Sequence, residues 1–196
     1  MKIVHFSLFL ICNMVLSMTI KAQTFQLATD SATTITVTGT STLHGWTVAV
    51  NEIQDVPTTI ILSGENENTV DSFAFGVVIN SMDGGRGASM NAKITKALQA
   101  AAHPIISYQQ NEPAVMSNMD DTGNFKLISK GILKMVGLEK AVEIEVMGQK
   151  TDSGIVLKGS KPLKFSEFEI EPPSAMFGQI VCGDDIAVNF EFRYQK

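Results

Sequence analysis

Short runs in which apolar and polar residues alternate dominate the chain from about residue 23 onward. In TTITVTG, Ile35 and Val37 share one face and threonines occupy the other, and AVEIEVMG and DIAVNFEFRY repeat the pattern. Strict alternation predicts strands with one buried and one solvated face, as in antiparallel sheets. Polar breaks such as DDTGN and TDSG separate the runs as hairpin loops do. The pattern therefore predicts a single, mostly β domain over residues 23–196.

One segment departs from the period of two. In ASMNAKITKALQAAAHP, Met90 and Ile94 recur with other apolar residues at helical spacing, whereas Lys93 falls in the polar set that faces away. Ser89 is the candidate N-cap. The spacing predicts one amphipathic helix near 88–102, whose apolar stripe packs on the sheet or closes one end of a barrel.

About eight antiparallel strands have to protect their edges, and a closed barrel and a two-sheet sandwich are alternative solutions. Alternation alone leaves both open. The run DSFAFGVVIN places Phe73, Phe75 and Val77 on one face and small residues on the other. Such a strand is typical of burial on both sides, which is compatible with an internal cavity and equally with ordinary core.

The first 22 residues differ in composition from the rest. Lys2 precedes the apolar run IVHFSLFLI, and the small residue Ala22 stands at the expected cleavage point. These features predict a secretory signal peptide at 1–22, a periplasmic or secreted mature chain, and no stable membrane insertion after cleavage. The full chain has a net charge of −5, which becomes about −7 without Lys2 and Lys21. A negative chain argues against nucleic acid as a partner.

Residues suited to catalysis or metal binding are few. After signal cleavage the chain has His44 and His103, far apart in sequence, and one cysteine, Cys182, so that no internal disulfide is possible. No metal-ligand spacing, phosphate loop or nucleophile elbow occurs. The sequence predicts no metal, no cofactor and no catalysis. The weaker alternative is an enzyme on a small apolar substrate, with His44 or His103 as the base.

Four stretches in order resemble one known family: GTSTLHGWTV, MNAKITKALQAAAHPIISYQ, SKGILKMVGLEKAVEIEV and PPSAMFGQIVCGDDIAVNF. Together they resemble the YceI-like family of lipid- or polyisoprenoid-binding domains, in the variant common among exported Bacteroidetes proteins. The resemblance covers roughly residues 26–194. The chain departs from the commonest family pattern at Gly45, where many relatives have Asp. The resemblance implies an extended, lipocalin-like antiparallel barrel with a helix at one end, and so favours the barrel over the sandwich.

The resemblance also implies a binding protein that holds a long apolar lipid, such as a polyisoprenoid or prenyl quinone, in the barrel for transport or storage. A protein binds such a ligand by burying its apolar surface in a cavity, and this requires no sequence motif. The predicted lining residues are apolar side chains that share strand faces or lie in the PPSAMFG loop: Phe73, Phe75, Val77, Ile106, Tyr108, Met176, Phe177, Phe190 and Phe192. The alternative is a non-catalytic structural or stress-related module with a filled barrel. The oligomeric state stays open, a dimer included.

Overall fold

The computed structural model describes residues 22–28, 33–53, 59–64, 68–117 and 119–196. The predicted signal peptide, apart from Ala22, lies outside these residues. Within them the chain forms thirteen strands and one α-helix. The elements are β1 (Gln23–Leu27), β2 (Thr34–Ser41), β3 (Gly45–Val50), β4 (Thr59–Ser63), β5 (Thr69–Val78), β6 (Met82–Asp83), α1 (Ala88–Ala97), β7 (Ile105–Gln110), β8 (Ala114–Val115), β9 (Asn124–Met135), β10 (Leu138–Lys150), β11 (Gly154–Lys164), β12 (Ser174–Ala175) and β13 (Ile180–Gln195).

Eight strands close into an antiparallel barrel. Their order is β1, β4, β5, β7, β9, β10, β11 and β13, and β13 returns to β1 where Tyr194 pairs with Leu27. A closed ring leaves no free sheet edge. The prediction of a mostly β protein, built on a barrel of about eight antiparallel strands with one helix, is confirmed, and the sandwich is excluded.

Strand β13 is sixteen residues long and serves two neighbours. Its C-terminal end pairs with β1, and its middle pairs with β2, where Val188 lies opposite Val37. From β2 the sheet continues through β3 to β6, and an isolated bridge from Ile53 to Val77 returns this side to β5. The barrel therefore has a lower part, closed by β1 and β4, and an upper part, walled by β2 and β3.

The hairpin between β9 and β10 is the longest ladder of the barrel, with twelve paired positions. Val136 and Gly137 form its tip with φ of 47° and 80°. Positive φ at both central residues is the mark of a type I′ turn, whose twist matches that of the flanking strands. An ion pair of 3.1 Å joins Lys134 to Glu139 beside the tip. This hairpin is the GILKMVGLEKAVEIEV stretch on which the family resemblance partly rests.

The helix is shorter than the sequence predicts. α1 ends at Ala97, and residues 98–102 continue as turns in which Gln99 adopts a φ of 52°. Its N-cap is Gly87, with no side-chain cap, rather than Ser89. The glycines before the helix take up the positive φ that the chain needs to enter α1.

The lower part of the barrel is filled with side chains. Inward-facing residues from five of its strands are almost completely buried there: Phe25, Ile60, Leu62, Phe73, Ile155, Leu157, Phe192 and Tyr194. The alternation predicted for the last strand is confirmed, since Ile186, Phe190, Phe192 and Tyr194 are all buried and their neighbours are more exposed. The packing differs in the upper part, where the candidate site lies.

Candidate functional site

The upper part of the barrel encloses a cavity of about 430 Å³. Its lining comes from the inward faces of β2, β3, β11 and β13, from β5 and β7, and from one side of α1. Most of the lining side chains are apolar. A volume of this size lies within the range of roughly 300–1,000 Å³ that is usual for small-molecule sites. The cavity can therefore hold an apolar molecule or part of a longer one.

A layer of aromatic rings forms the floor of the cavity. Phe75, Tyr108 and Phe190 line it, and Phe192 lies beneath, with its ring centroid 4.9 Å from that of Phe75 and 5.0 Å from that of Phe190. Phe73 packs edge-on against Phe192, at 5.8 Å. These offset and edge contacts are the arrangements that aromatic pairs prefer. The floor separates the hollow upper part from the filled lower part.

Strand register sets the side walls. Val37 pairs with Val48 on one side and with Val188 on the other, so that three inward valines form one level of the wall. One level closer to the opening, the indole of Trp46 lies over Gly39, where a Cβ atom would overlap the ring. The indole nitrogen donates a hydrogen bond to the Thr40 carbonyl at 2.8 Å. This fixed indole makes part of the wall flat and apolar.

The helix supplies the remaining side of the cavity. Met90, Ile94, Ala97 and Leu98 line it, as the helical spacing predicts. Lys93 lines it as well, so the assignment of Lys93 to the outward-facing polar set is wrong. It lies three residues from Met90, and positions three and four apart share a helix face.

Exposed side chains among the lining residues mark the mouth. Leu43, His44, Arg86 and Met176 are exposed and line the cavity. Arg86 donates a hydrogen bond from Nη2 to His44 Nε2 at 2.9 Å. His44 Nδ1 lies 2.6 Å from the Gly45 carbonyl, which requires a proton on Nδ1 and leaves Nε2 free to accept. His44 therefore positions Arg86 across the mouth, between the β2–β3 loop and the turn before α1.

Cys182 lies at the same opening. It is half-buried, lines the cavity and pairs with Ser41. Burial raises the pKa of the Cys182 thiol, and the positive charge of Lys93 opposes that shift. The thiol is thus protonated near neutral pH and behaves as a small apolar wall group.

A chain of buried polar groups lies behind the floor. Tyr108 Oη lies 2.6 Å from Ser129 Oγ, which donates to Gln110 Oε1 at 3.0 Å. Gln110 Nε2 in turn donates to the Val70 carbonyl at 2.8 Å. Burial raises the pKa of Tyr108, and the hydrogen bond with Ser129 offsets part of that rise. The network satisfies its members internally and keeps the Tyr108 hydroxyl engaged with the wall.

The nine predicted lining residues fall into three groups. Six line the cavity: Phe75, Val77, Ile106, Tyr108, Met176 and Phe190. Phe73 and Phe192 lie below the floor, inside the filled part. Phe177 projects into solvent and is fully exposed. Contact of any of these residues with a ligand stays a prediction.

Sequence reasoning missed the cationic lining residues, which are Arg86, Lys93 and Lys161. Lys161 lies on the inward face of β11, between Gly159 and Leu163, and is half-buried. Lys161 is four residues after the inward-facing Leu157, so the alternation of a strand places both side chains on the same face. Nothing in the sequence indicates that Arg86 meets His44, because the two are separated by 42 positions.

The histidines have no catalytic partners in the described part of the chain. His44 contacts Arg86 and Gly45, and the ring of His103 lies close to Gly137 at the tip of the β9–β10 hairpin. Nowhere among the described residues do three His, Cys, Asp or Glu side chains gather as a candidate metal site. The described helix also lacks the length and apolar character needed to cross a bilayer.

No protein-family model matches the sequence, and neither does any curated protein. Solved structures match the fold. A polyisoprenoid-binding domain from Saccharophagus degradans aligns with a TM-score of 0.66 and 11% identity, over 89% of this chain and 99% of that one. BcnA from Burkholderia cenocepacia gives 0.65 and 12%, over 86% and 99%. The YceI protein of Campylobacter jejuni gives 0.57 and 12%, over 76% and 84%. The chain therefore shares the fold of YceI and polyisoprenoid-binding domain proteins, in agreement with the sequence resemblance.

Proposed function

We propose that the protein binds the apolar tail of a lipid, such as an isoprenoid, in the cavity of its upper barrel and carries or stores that lipid without changing it chemically. The observation that carries the proposal is the cavity itself: about 430 Å³, with largely apolar walls, an aromatic floor and one exposed mouth. Burial of a flexible apolar tail stabilises a complex by roughly 25 cal/mol per Å² of apolar surface. Such a site needs no catalytic group.

One of the aligned structures is described as a polyisoprenoid-binding domain, and it supports the choice of ligand class. The cavity is at the lower end of the usual range for ligand sites, so a medium-length tail, or only the end of a long one, fits inside. The apolar segment at 1–22 supports export to the periplasm or the cell exterior as part of the proposal.

The test is to fill the cavity from the helix. We expect Ala97→Phe, which adds a ring at a lining position, to abolish uptake of farnesol, a neutral isoprenoid without a charged head. Ala92→Phe adds the same ring at an exposed position of α1 and serves as the matched control. Trp46, the sole tryptophan, lines the cavity, so its fluorescence reports occupancy. Far-ultraviolet circular dichroism confirms that both variants remain folded.

Two outcomes would contradict the proposal. Equal farnesol affinity in both variants would place the binding site outside the cavity. Failure of the unmodified protein to bind farnesol or other prenyl chains would favour the alternative of a structural module that binds no lipid. Organic extraction of protein purified from its native host, followed by mass spectrometry, then identifies the lipid that it carries.

A further inference from the structure

We infer that the lipid carries an anionic head, a carboxylate or a phosphate, which Arg86 and Lys93 hold at the mouth of the cavity. The inference rests on the proposed function, because it presumes that the apolar tail lies in the cavity below. It narrows the ligand to an acidic amphiphile instead of a neutral alcohol or quinone.

The charges around the cavity have one sign. Arg86, Lys93 and Lys161 line it, and none of the described residues that line it is an aspartate or a glutamate. The chain as a whole is acidic, with a net charge of −5. A local reversal of sign around a low-dielectric opening attracts and orients anions. Lys161 pairs with Val188 at the level of the three valines, whereas Arg86 lies at the mouth and the charge of Lys93 acts on Cys182 at the same opening. Two cations at the opening of an apolar chamber are the complement of an anionic amphiphile.

Lys93 occupies a helix position that a solvated lysine would avoid. It lies on the face of α1 that also carries Met90, Ile94 and Ala97, and it is half-buried. Within the described part of the chain no carboxylate forms an ion pair with it. Lys96, on the same helix, is exposed and does not line the cavity. A partly buried cation without an internal counter-charge is stabilised by an anion that arrives with the ligand.

Arg86 is held in place while most of its donors remain available. The turn that carries it is fixed by a hydrogen bond of 2.9 Å from the Gly85 amide to Asp83 Oδ1. Its guanidinium donates from Nη2 to His44, and the described residues provide no other hydrogen-bond partner for it. A guanidinium has five N–H donors in a planar fork that matches a carboxylate or a phosphate. A preoriented fork loses little conformational freedom when an anion binds.

The test compares three probes with the same tail: dodecanol, dodecanoic acid and dodecyl phosphate. At a pH where both acids are ionised, we expect the unmodified full chain to bind the acids about tenfold or more tightly than dodecanol, as charge-assisted hydrogen bonds imply. The double variant Arg86→Gln/Lys93→Gln should lose this preference, so that it binds the three probes with similar affinity. Added salt should weaken binding of the acids and leave dodecanol unaffected. The tighter of the two acids distinguishes a carboxylate from a phosphate head.

The control is Lys96→Gln, which removes one positive charge from the outer side of the same helix and should behave as the unmodified protein. The inference is overturned if dodecanol binds as tightly as the acids, if Lys96→Gln removes as much of the preference as the double variant, or if only Lys161→Gln removes it. Dodecanol binding without a preference leaves the proposed function intact. Absence of binding for all three probes overturns the inference, and the farnesol measurement then decides the proposed function separately.

Discussion

At the scale of single residues, two buried tyrosines have the same hydroxyl and different surroundings. The Tyr108 hydroxyl is hydrogen-bonded to the Ser129 hydroxyl, whereas Tyr194 Oη is buried without a hydrogen-bond partner among the described residues. Burial raises the pKa of Tyr194, because it removes the water that would stabilise the phenolate. We expect Tyr194→Phe to leave stability unchanged or to raise it by about 1 kcal/mol, since it removes an unsatisfied group. Tyr108→Phe should lower stability by about 1 kcal/mol.

Urea unfolding, followed by circular dichroism, measures both variants under the same conditions. The two substitutions remove the same atom from buried rings, so each is the control of the other. A loss of stability in Tyr194→Phe as large as that in Tyr108→Phe would mean that the Tyr194 hydroxyl has a partner in solution.

Alternation identified which side chains share a strand face, and it could not show which faces point inward or how deep each side chain lies. Phe73, Phe75, Phe190 and Phe192 all face the interior, yet two line the cavity and two lie below its floor. Depth depends on the register between strands, which a single strand's pattern does not contain. Lys93 was assigned to the wrong face because a lysine is normally taken as solvated. Its spacing from Met90 carried the correct information.

At the scale of elements, close contacts between an aromatic ring and a glycine on a neighbouring strand organise the hairpin of β2 and β3. A Cβ at Gly39 would overlap the indole of Trp46. We expect Gly39→Ala to displace the indole, to destabilise the protein by about 1–3 kcal/mol and to shift the emission of the sole tryptophan. Fluorescence spectra and urea unfolding measure both effects.

Gly45→Ala is the matched control in the same hairpin. Its added Cβ would come no closer than 3.7 Å to the Gly39 carbonyl oxygen, an ordinary contact, and Gly45 does not have positive φ. We expect it to change stability by less than about 1 kcal/mol. Similar losses in both variants would show that hairpin flexibility, and not the ring contact, governs the effect.

Most strands and the helix could be predicted from the sequence pattern, but the closure of the strands into a barrel could not. The strands that alternate strictly, such as β10, follow from local patterns. The helix ends five residues before the predicted limit of 102. Residues 98–102 form turns, so the apolar residue Leu98 continues the spacing of the helix without belonging to it. Barrel and sandwich have the same alternation, so the resemblance alone favoured the barrel. Closure depends on long-range pairs such as Leu27 with Tyr194.

At the scale of the whole molecule, the barrel is solid in its lower part and hollow in its upper part. Empty space deprives side chains of packing contacts, so we expect the upper part to open more easily. Hydrogen exchange in β2, β3 and α1 should be faster, by about tenfold or more, than in β1 and in the segment of β9 that contains Phe125 and Leu127. Peptide-level mass spectrometry of exchange measures the difference.

A ligand that fills the cavity should narrow this difference by slowing exchange in the upper part, because binding stabilises the closed form by mass action. Dodecanoic acid is a suitable probe, and Ala97→Phe in its presence is the control. Equal exchange in both parts of the free protein would indicate that the barrel unfolds as one unit, with no local weakness around the cavity.

The aromatic floor also limits the length of tail that the barrel can enclose. Because Phe75 and Phe190 rest on Phe192, a tail that enters at the mouth reaches a dead end. Its usable depth is set by the inward residues from Trp46 to Val50, which are four steps apart along β3, or about 13 Å at roughly 3.3 Å per step. A longer tail has to fold back or remain partly outside, and every tail has to leave by the route that it entered. Chain-length selectivity and slow release would then both originate in the position of one layer of rings.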